Sequence, residues 1–189
     1  LMDYGVTTVL DLRSDGEAAR SPSPFQDSAA GVHYVRRVLI DDKNMNNIGD
    51  SNSMLERYLF IIEARPDAFR DVFQALAETD GTLLFHCFAG KDRTGLVAAM
   101  LLDLAGASAD GIAADYAATD VQLARQYEIW IDEAPPEKRD AFREELRCPP
   151  ERILGVLDHL HAKWGGVEGY LDACGVTAEH IDRLQSKLA

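Results

Sequence analysis

The first half of the chain alternates short β-branched runs with polar turns, whereas the second half has the apolar spacing of helices. The short runs predict three strands, Val6–Leu12, His33–Ile40 and Leu83–His86, of which the first is expected to be buried. A loop rich in proline and serine is predicted over 21–31. Because parallel strands need long crossover connections, the helical segment before the third strand favours parallel pairing. The pattern therefore predicts an α/β fold, with a small, mostly parallel sheet flanked by helices.

Helix signals are densest after the second strand. Ser53 is placed to cap a helix over Met54–Ala64, and Pro66 opens another over Asp67–Glu78. The alanine-rich segment Thr94–Ala105 predicts a helix that is buried on all sides. Every element predicted beyond Gly106 is a helix: Ala109–Thr119, Val121–Glu133, Pro136–Leu146, Pro150–Trp164, Val167–Cys174 and Ala178–Leu188.

Length and charge narrow the classes of function. A chain of 189 residues predicts a single domain over 1–189 with one core. The 32 acidic and 19 basic residues give a net charge of −13, which opposes non-specific binding to nucleic acid. No stretch approaches the ~20 apolar residues of a membrane helix, so no integral membrane segment is expected.

Cysteine usage and the start of the chain bear on location. Three widely spaced cysteines without a CxxC pair indicate neither a zinc ribbon nor a disulfide framework, and favour a reducing, cytoplasmic setting. The chain opens at Leu1 and runs almost directly into the first predicted strand. We therefore expect that an upstream segment is missing from this sequence, and export remains an alternative to the cytoplasm.

The segment His86–Gly95, with the sequence HCFAGKDRTG, carries the candidate chemistry. A strand-to-helix turn directs successive backbone N–H groups at one point and so forms an anion cradle. A thiol at its mouth, here Cys87, is pushed toward the nucleophilic thiolate. Arg93 has a planar fork that matches two phosphate oxygens, and Gly90 allows the tight turn. Thr94 is placed to donate its hydroxyl to the sulfur, and His86 to fix the loop from behind.

The spacing Cys-x5-Arg-Thr-Gly, preceded by His, resembles the phosphate-binding loop of protein tyrosine phosphatases. The full string is similar to that of the bacterial branch of atypical tyrosine phosphatases, which is related in its loop to phosphoinositide phosphatases. Asp11-Leu12-Arg13 and the segment 170–176 resemble two further family patterns. The resemblance implies Cys87 as nucleophile and no cofactor or metal. It also implies a phosphate cradle made of Phe88, Ala89, Gly90, Lys91, Asp92, Arg93 and Thr94.

Protonation of the leaving alcohol requires a general acid, and three aspartates compete for this role. The resemblance implies Asp92 as one candidate; its structural alternative is a salt bridge to Arg93 or Arg13. Asp41 and Asp42 follow the second strand, where related phosphatases place a mobile acid loop, and their alternative is a solvated turn. Arg13 is expected to brace the loop in preference to binding substrate.

These patterns predict a cysteine-dependent phosphatase that hydrolyses phosphotyrosine through a phosphocysteine intermediate. Phosphoserine, phosphothreonine or phosphoinositide extend the substrate range, so the expected partner is a phosphorylated protein or a phospholipid head group that Lys91 helps to bind. The alternatives are a catalytically silent phosphate-binding module and a rhodanese-like sulfurtransferase. The family also implies a helical lid over 108–147, for which ordinary helix packing is the alternative. The oligomeric state is not predicted.

Overall fold

The computed structural model of the chain describes residues 2–26, 31–44 and 53–189. Three parallel strands form a sheet in the order β2-β1-β3, in which β1 spans Val6–Asp11, β2 spans His33–Arg36 and β3 spans Thr82–His86. The register pairs Asp11 with Arg36 on one side and with His86 on the other. This confirms the α/β fold with a small parallel sheet. Of the loop predicted over 21–31, residues 27–30 lie outside the described ranges.

Helices make up most of the described residues. They are α1 Asp15–Arg20, α2 Met54–Ala64, α3 Pro66–Glu78, α4 Asp92–Leu104, α5 Ala109–Gln122, α6 Ala124–Glu133, α7 Arg139–Leu146, α8 Pro150–Trp164, α9 Val167–Cys174 and α10 Ala178–Leu188. Short 3₁₀ turns occupy Met2–Tyr4 and Pro136–Lys138. Within the described ranges, none of the helices combines the length and the apolar character needed to cross a lipid bilayer.

Local signals explain most of the helix boundaries. The Ser53 hydroxyl caps α2, and Pro66 occupies the first turn of α3, as predicted. The prediction that β2 extends to Ile40 is wrong: the ladder ends where Arg36 lies opposite Asp11, the last residue of β1. Beyond it, the amides of Arg37 and Leu39 donate to the carbonyl oxygens of Asp11 and Leu12 without continuing the strand. Leu39 and Ile40 instead turn into the core.

Boundaries in the helical half differ in two places. The helix predicted over Val121–Glu133 is divided at Leu123 between α5 and α6. The helix predicted over Pro136–Leu146 begins as a 3₁₀ turn, and the α-helix starts at Arg139. Both differences concern ends of elements and leave the order of the helices unchanged.

The sheet has two unequal faces. Leu10 and Leu12 join the main core, which α2, α3, α4 and the C-terminal helices complete. On the opposite face, Val6, Val9 and Val32 form a small cluster under Phe25 and Tyr34. Of the thirteen residues of α4, seven are buried and six are half-buried, so the prediction of a helix buried on all sides holds only in part. The turn between β3 and α4 thus joins a half-buried strand to a helix that contributes to the main core.

Candidate active site

The Cys87 loop, residues 87–93, connects the end of β3 to the first turn of α4. Cys87 is buried, with 5% of its surface exposed. Gly90 has φ +74, a left-handed conformation that disfavours side chains, although a Cβ there would meet no atom within 4 Å. The Lys91 side chain at the N-cap makes no capping hydrogen bond. Free amides of the first turn of α4 therefore face the loop, as an anion cradle requires.

Arg93 is buried and paired with a carboxylate that the sequence did not reveal. Its Nη1 and Nη2 atoms donate to Oε2 and Oε1 of Glu17 at 2.5 and 2.7 Å. Burial acts to raise the pKa of Glu17, but hydrogen bonds from Arg93 and from the Ser14 amide outweigh burial and lower it. An arginine has five N–H donors, so this bidentate contact leaves three of them for an anion.

Glu17 is held in place by the start of α1. The Ser14 hydroxyl accepts from the Glu17 amide while the Glu17 carboxylate accepts from the Ser14 amide, which is a reciprocal capping box. Asp42 accepts from the Ser14 hydroxyl at 2.6 Å and from the Gly16 amide at 3.0 Å, contacts that lower its pKa. Asp42 thus secures the helix that carries the partner of Arg93. The Ser14-x-x-Glu17 spacing was the signal that could have revealed α1.

The end of β1 forms a second buried ion pair. Asp11 is fully buried and accepts from Arg13 at 2.6 Å and from the Tyr34 hydroxyl at 2.7 Å. Burial raises the pKa of Asp11, but the hydrogen bonds from Arg13 and Tyr34 outweigh it and lower the pKa to about 2. Arg13 also donates to the Ser21 carbonyl oxygen at 2.8 Å, so it braces the end of β1 and the chain after α1.

His86 and Thr94 are the two polar residues that were predicted to support the Cys87 loop. The His86 ring places Nδ1 2.9 Å from the Cys87 carbonyl oxygen and Nε2 3.9 Å from Asp11. The Thr94 hydroxyl, which was predicted to donate to the sulfur, is buried and has no hydrogen-bond partner among the described residues. An unpaired buried hydroxyl is costly, and a ligand or sulfur acceptor beside it would remove that cost.

The three candidate aspartates lie in different surroundings. Asp92 lines the cavity above the loop, accepts from the Tyr58 hydroxyl at 2.5 Å and lies 3.4 Å from the Lys91 Nζ. Asp41 accepts from Arg65 at 2.7 Å and from the Asn44 amide at 2.8 Å. Neither Asp41 nor Asp42 belongs to the cavity wall.

Helices α6 and α7 form the other wall of the cavity. Lys91 is buried and donates from Nζ to the carbonyl oxygens of Glu145 and Leu146 at 2.9 and 3.2 Å. Phe88, which is 61% exposed, stacks on Trp130 with ring centroids 6.3 Å apart. The cavity is open to solvent on one side and has a volume of roughly 640 Å³. Asp92 and Arg93 lie in its wall, and the remainder is mainly apolar and includes Ile40, Tyr58, Ile61, Trp130 and Phe142.

Comparison with known proteins agrees with this geometry. A profile of the tyrosine phosphatase family matches residues 1–189. The chain belongs to the tyrosine phosphatase family. It is 32% identical to a tyrosine-protein phosphatase of Nostoc commune, across the whole chain and 68% of that relative. It is 29% identical to the triple specificity protein phosphatase PtpB of Mycobacterium tuberculosis, across the whole chain and 84% of that relative. The protein is thus a hydrolase that acts on a phosphorylated substrate.

The phosphatase brings some of the predicted residues together and separates others. Phe88, Ala89, Lys91, Asp92 and Arg93 line one cavity. Arg13 and His86 meet through Asp11 behind the loop, whereas the ion pairs of Arg93 and Arg13 go to Glu17 and Asp11 and not to Asp92. Sequence reasoning missed Glu17 and Tyr58. Within the described ranges, no group of three His, Cys, Asp or Glu side chains is arranged to hold a metal ion.

Proposed function

We propose that this phosphatase hydrolyses phosphotyrosine through a phosphocysteine intermediate on Cys87. The observation that carries the proposal is the buried, bidentate pair of Arg93 and Glu17 at the end of the Cys87 loop. Such a pair fixes a guanidinium plane before substrate arrives, and its remaining N–H groups match two phosphate oxygens. A preorganised cation beside a buried thiol suits phosphoryl transfer.

In the first step the Cys87 thiolate attacks phosphorus and the bond from phosphorus to the phenolic oxygen breaks. Asp92 gives its proton to the departing phenolate, since it is the candidate aspartate in the cavity wall. Arg93 and the loop amides stabilise the charge on the equatorial oxygens. A water molecule then attacks phosphorus and passes a proton to Asp92. The phosphorus–sulfur bond breaks, and the unpartnered Thr94 hydroxyl donates to the leaving thiolate.

The cavity supports an aromatic substrate. Its wall is mainly apolar and includes the rings of Tyr58, Phe88, Trp130 and Phe142. A phenyl ring buried there would gain about 25 cal/mol for each Å² of apolar surface removed from water. Phosphoserine and phosphothreonine present less apolar surface, and phosphoinositides present a polar ring. We propose all three as secondary substrates. The name of the Mycobacterium tuberculosis relative, a triple specificity protein phosphatase, supports more than one substrate class without stating which.

We further propose that the chain is one phosphatase domain with a lid inside 108–147. Helix α5 contributes Ile112, Ala113 and Tyr116 to the main core. By contrast, Tyr127, Ile131 and Leu146 of α6 and α7 form a separate apolar cluster with Leu123, Trp130 and Phe142. A unit with its own small cluster can open at a lower free energy than the core. The moving part is therefore α6 and α7, over 124–146.

The test is release of phosphate from an aryl phosphate in the presence of a chelator, comparing wild type with Cys87→Ser. We expect the substitution to lower kcat by about 10⁴-fold or more, because it removes the nucleophile. Turnover that survives Cys87→Ser would contradict the proposal. Binding of phosphate without turnover by folded wild type would favour the silent module, and thiosulfate-to-cyanide transfer would favour the sulfurtransferase.

A further inference from the structure

Tyr58 connects the core of the protein to the cavity. Its side chain projects from α2 and is 1% exposed, yet its hydroxyl donates to Oδ1 of Asp92 at 2.5 Å. The Asp92 side chain itself is one-third exposed. A carboxyl group that faces solvent on one side is thus tied to a hydroxyl that cannot move without disturbing the core.

A second tyrosine fixes the direction of this contact. The Tyr116 hydroxyl lies 2.8 Å from the Tyr58 hydroxyl, and the two rings pack edge to face with centroids 6.4 Å apart. When Tyr58 donates to Asp92, its oxygen is left to accept the proton of Tyr116. Burial, and then the charge of Asp92, raises the pKa of Tyr58 far above its ordinary value, so this hydroxyl stays protonated.

Arg152 interacts with both tyrosines. Burial acts to lower the pKa of Arg152, but its contacts with Tyr116 and Tyr58 outweigh this and raise it. When Asp92 gives up its proton, the hydrogen bond from the Tyr58 hydroxyl stabilises the carboxylate that results.

We infer that Tyr58 is a positioning residue for Asp92, which it orients toward the leaving oxygen and stabilises as the carboxylate when the proton has been transferred. The inference rests on the proposed function, in which Asp92 is the general acid. Lys91 lies 3.4 Å from the same carboxylate, but its ammonium also binds two backbone carbonyl oxygens of α7. The Tyr58 hydroxyl comes from the core and would remain in place if α7 moved.

The dependence of kcat/KM on the leaving group tests this role. General-acid catalysis matters most when the departing phenol is weakly acidic, and least when it is strongly acidic. We expect Tyr58→Phe to lower kcat/KM by about tenfold for weakly acidic phenols and by less than about twofold for strongly acidic ones. The variant keeps the buried ring and loses only the hydroxyl.

Tyr170→Phe is the matched control. Tyr170 is equally buried, and its hydroxyl donates to the Ile62 carbonyl oxygen at 2.9 Å, in the main core. The Tyr170→Phe variant loses a buried hydroxyl of the same kind as Tyr58→Phe does, so it reports the effect of reduced stability alone. We expect its kcat/KM to keep the leaving-group dependence of wild type.

Asp92→Asn separates the inference from the proposed function. If this variant becomes steeply dependent on the leaving group and adding Tyr58→Phe to it changes nothing more, both stand. If Asp92→Asn is steep but Tyr58→Phe behaves like Tyr170→Phe, the role of Tyr58 is overturned and Asp92 remains the acid. If Asp92→Asn keeps the dependence of wild type, Asp92 is not the acid and the inference falls with that part of the proposed function.

Discussion

Arg93 and Lys91 are two cations of one loop, and they are held in opposite ways. Arg93 is fixed by a buried carboxylate from α1, in a bidentate contact backed by a capping box. Lys91 is held by two backbone carbonyl oxygens at the end of α7, which belongs to a separate small cluster. The sheet side of the site is thus built before substrate arrives, while the helical side depends on where α7 lies.

Removal of Glu17 should have the largest effect, because it strands a buried charge. Glu17→Ala leaves the Arg93 guanidinium without its partner, and we expect the free energy of unfolding to fall by about 3–5 kcal/mol. Glu17→Gln keeps the shape and the capping position but removes the charge, so its free energy of unfolding should lie between those of wild type and Glu17→Ala. Chemical denaturation measures both. If Glu17→Ala lowers the free energy of unfolding no more than Lys91→Met does, the contrast between the two sides of the site is wrong.

Acid should weaken the sheet side through Asp11. Its pKa is about 2 in the folded protein and about 3.9 in an unfolded chain, so folding favours the ionised form. This stabilisation, about 2–3 kcal/mol, is complete above about pH 5 and is lost as the pH falls toward 2. Denaturation of wild type and Asp11→Asn between pH 2 and 6 checks it. The variant should lose less stability than wild type on acidification, and parallel curves would contradict the prediction.

Lys91→Met should loosen the helical side without unfolding the protein. The substitution removes two charge-assisted hydrogen bonds to α7, which are worth about 1.5 kcal/mol or more together. Amide hydrogen exchange in 124–146 should become about tenfold faster, because less free energy opposes local opening. Exchange in α4 should change much less. Equal acceleration in both regions would mean that Lys91 stabilises the whole fold.

The smallest effect is expected at the rim of the cavity. Arg57 and Glu145 form an ion pair in which both side chains are partly exposed, so solvent screens the attraction. Glu145→Gln should change the opening free energy of 124–146 by about 0–1 kcal/mol, measured by the same exchange experiment. A change as large as that of Lys91→Met would show that the rim pair, and not the carbonyl contacts, holds α7.

Features that depend on residues close together in the sequence were predicted correctly, whereas features that depend on distant residues were not. Ser53, Pro66 and the apolar spacing of α4 act within a few residues, and they predicted those helices correctly. The end of β2 depends on where its neighbour β1 ends, and the sequence of β2 carries no information about that. The Cys87 loop was predicted because its residues are contiguous.

Glu17 and Tyr58 show where sequence reasoning stops. Glu17 is 76 residues from Arg93 and Tyr58 is 34 residues from Asp92, so only the fold brings each pair together. The capping box around Ser14 contained enough local information to predict α1. It contained nothing to say that the same carboxylate would meet an arginine of the Cys87 loop.

The contact between Phe88 and Trp130 supplies an optical signal. The chain has two tryptophans, and Trp130 stacks on the tip of the loop while Trp164 packs against Tyr170 in the core. Indole emission responds to the polarity around the ring, so displacement of α6 would alter the emission of Trp130 and leave that of Trp164 unchanged. With Trp164→Phe, the remaining tryptophan would follow in real time the approach of a ligand to the Cys87 loop.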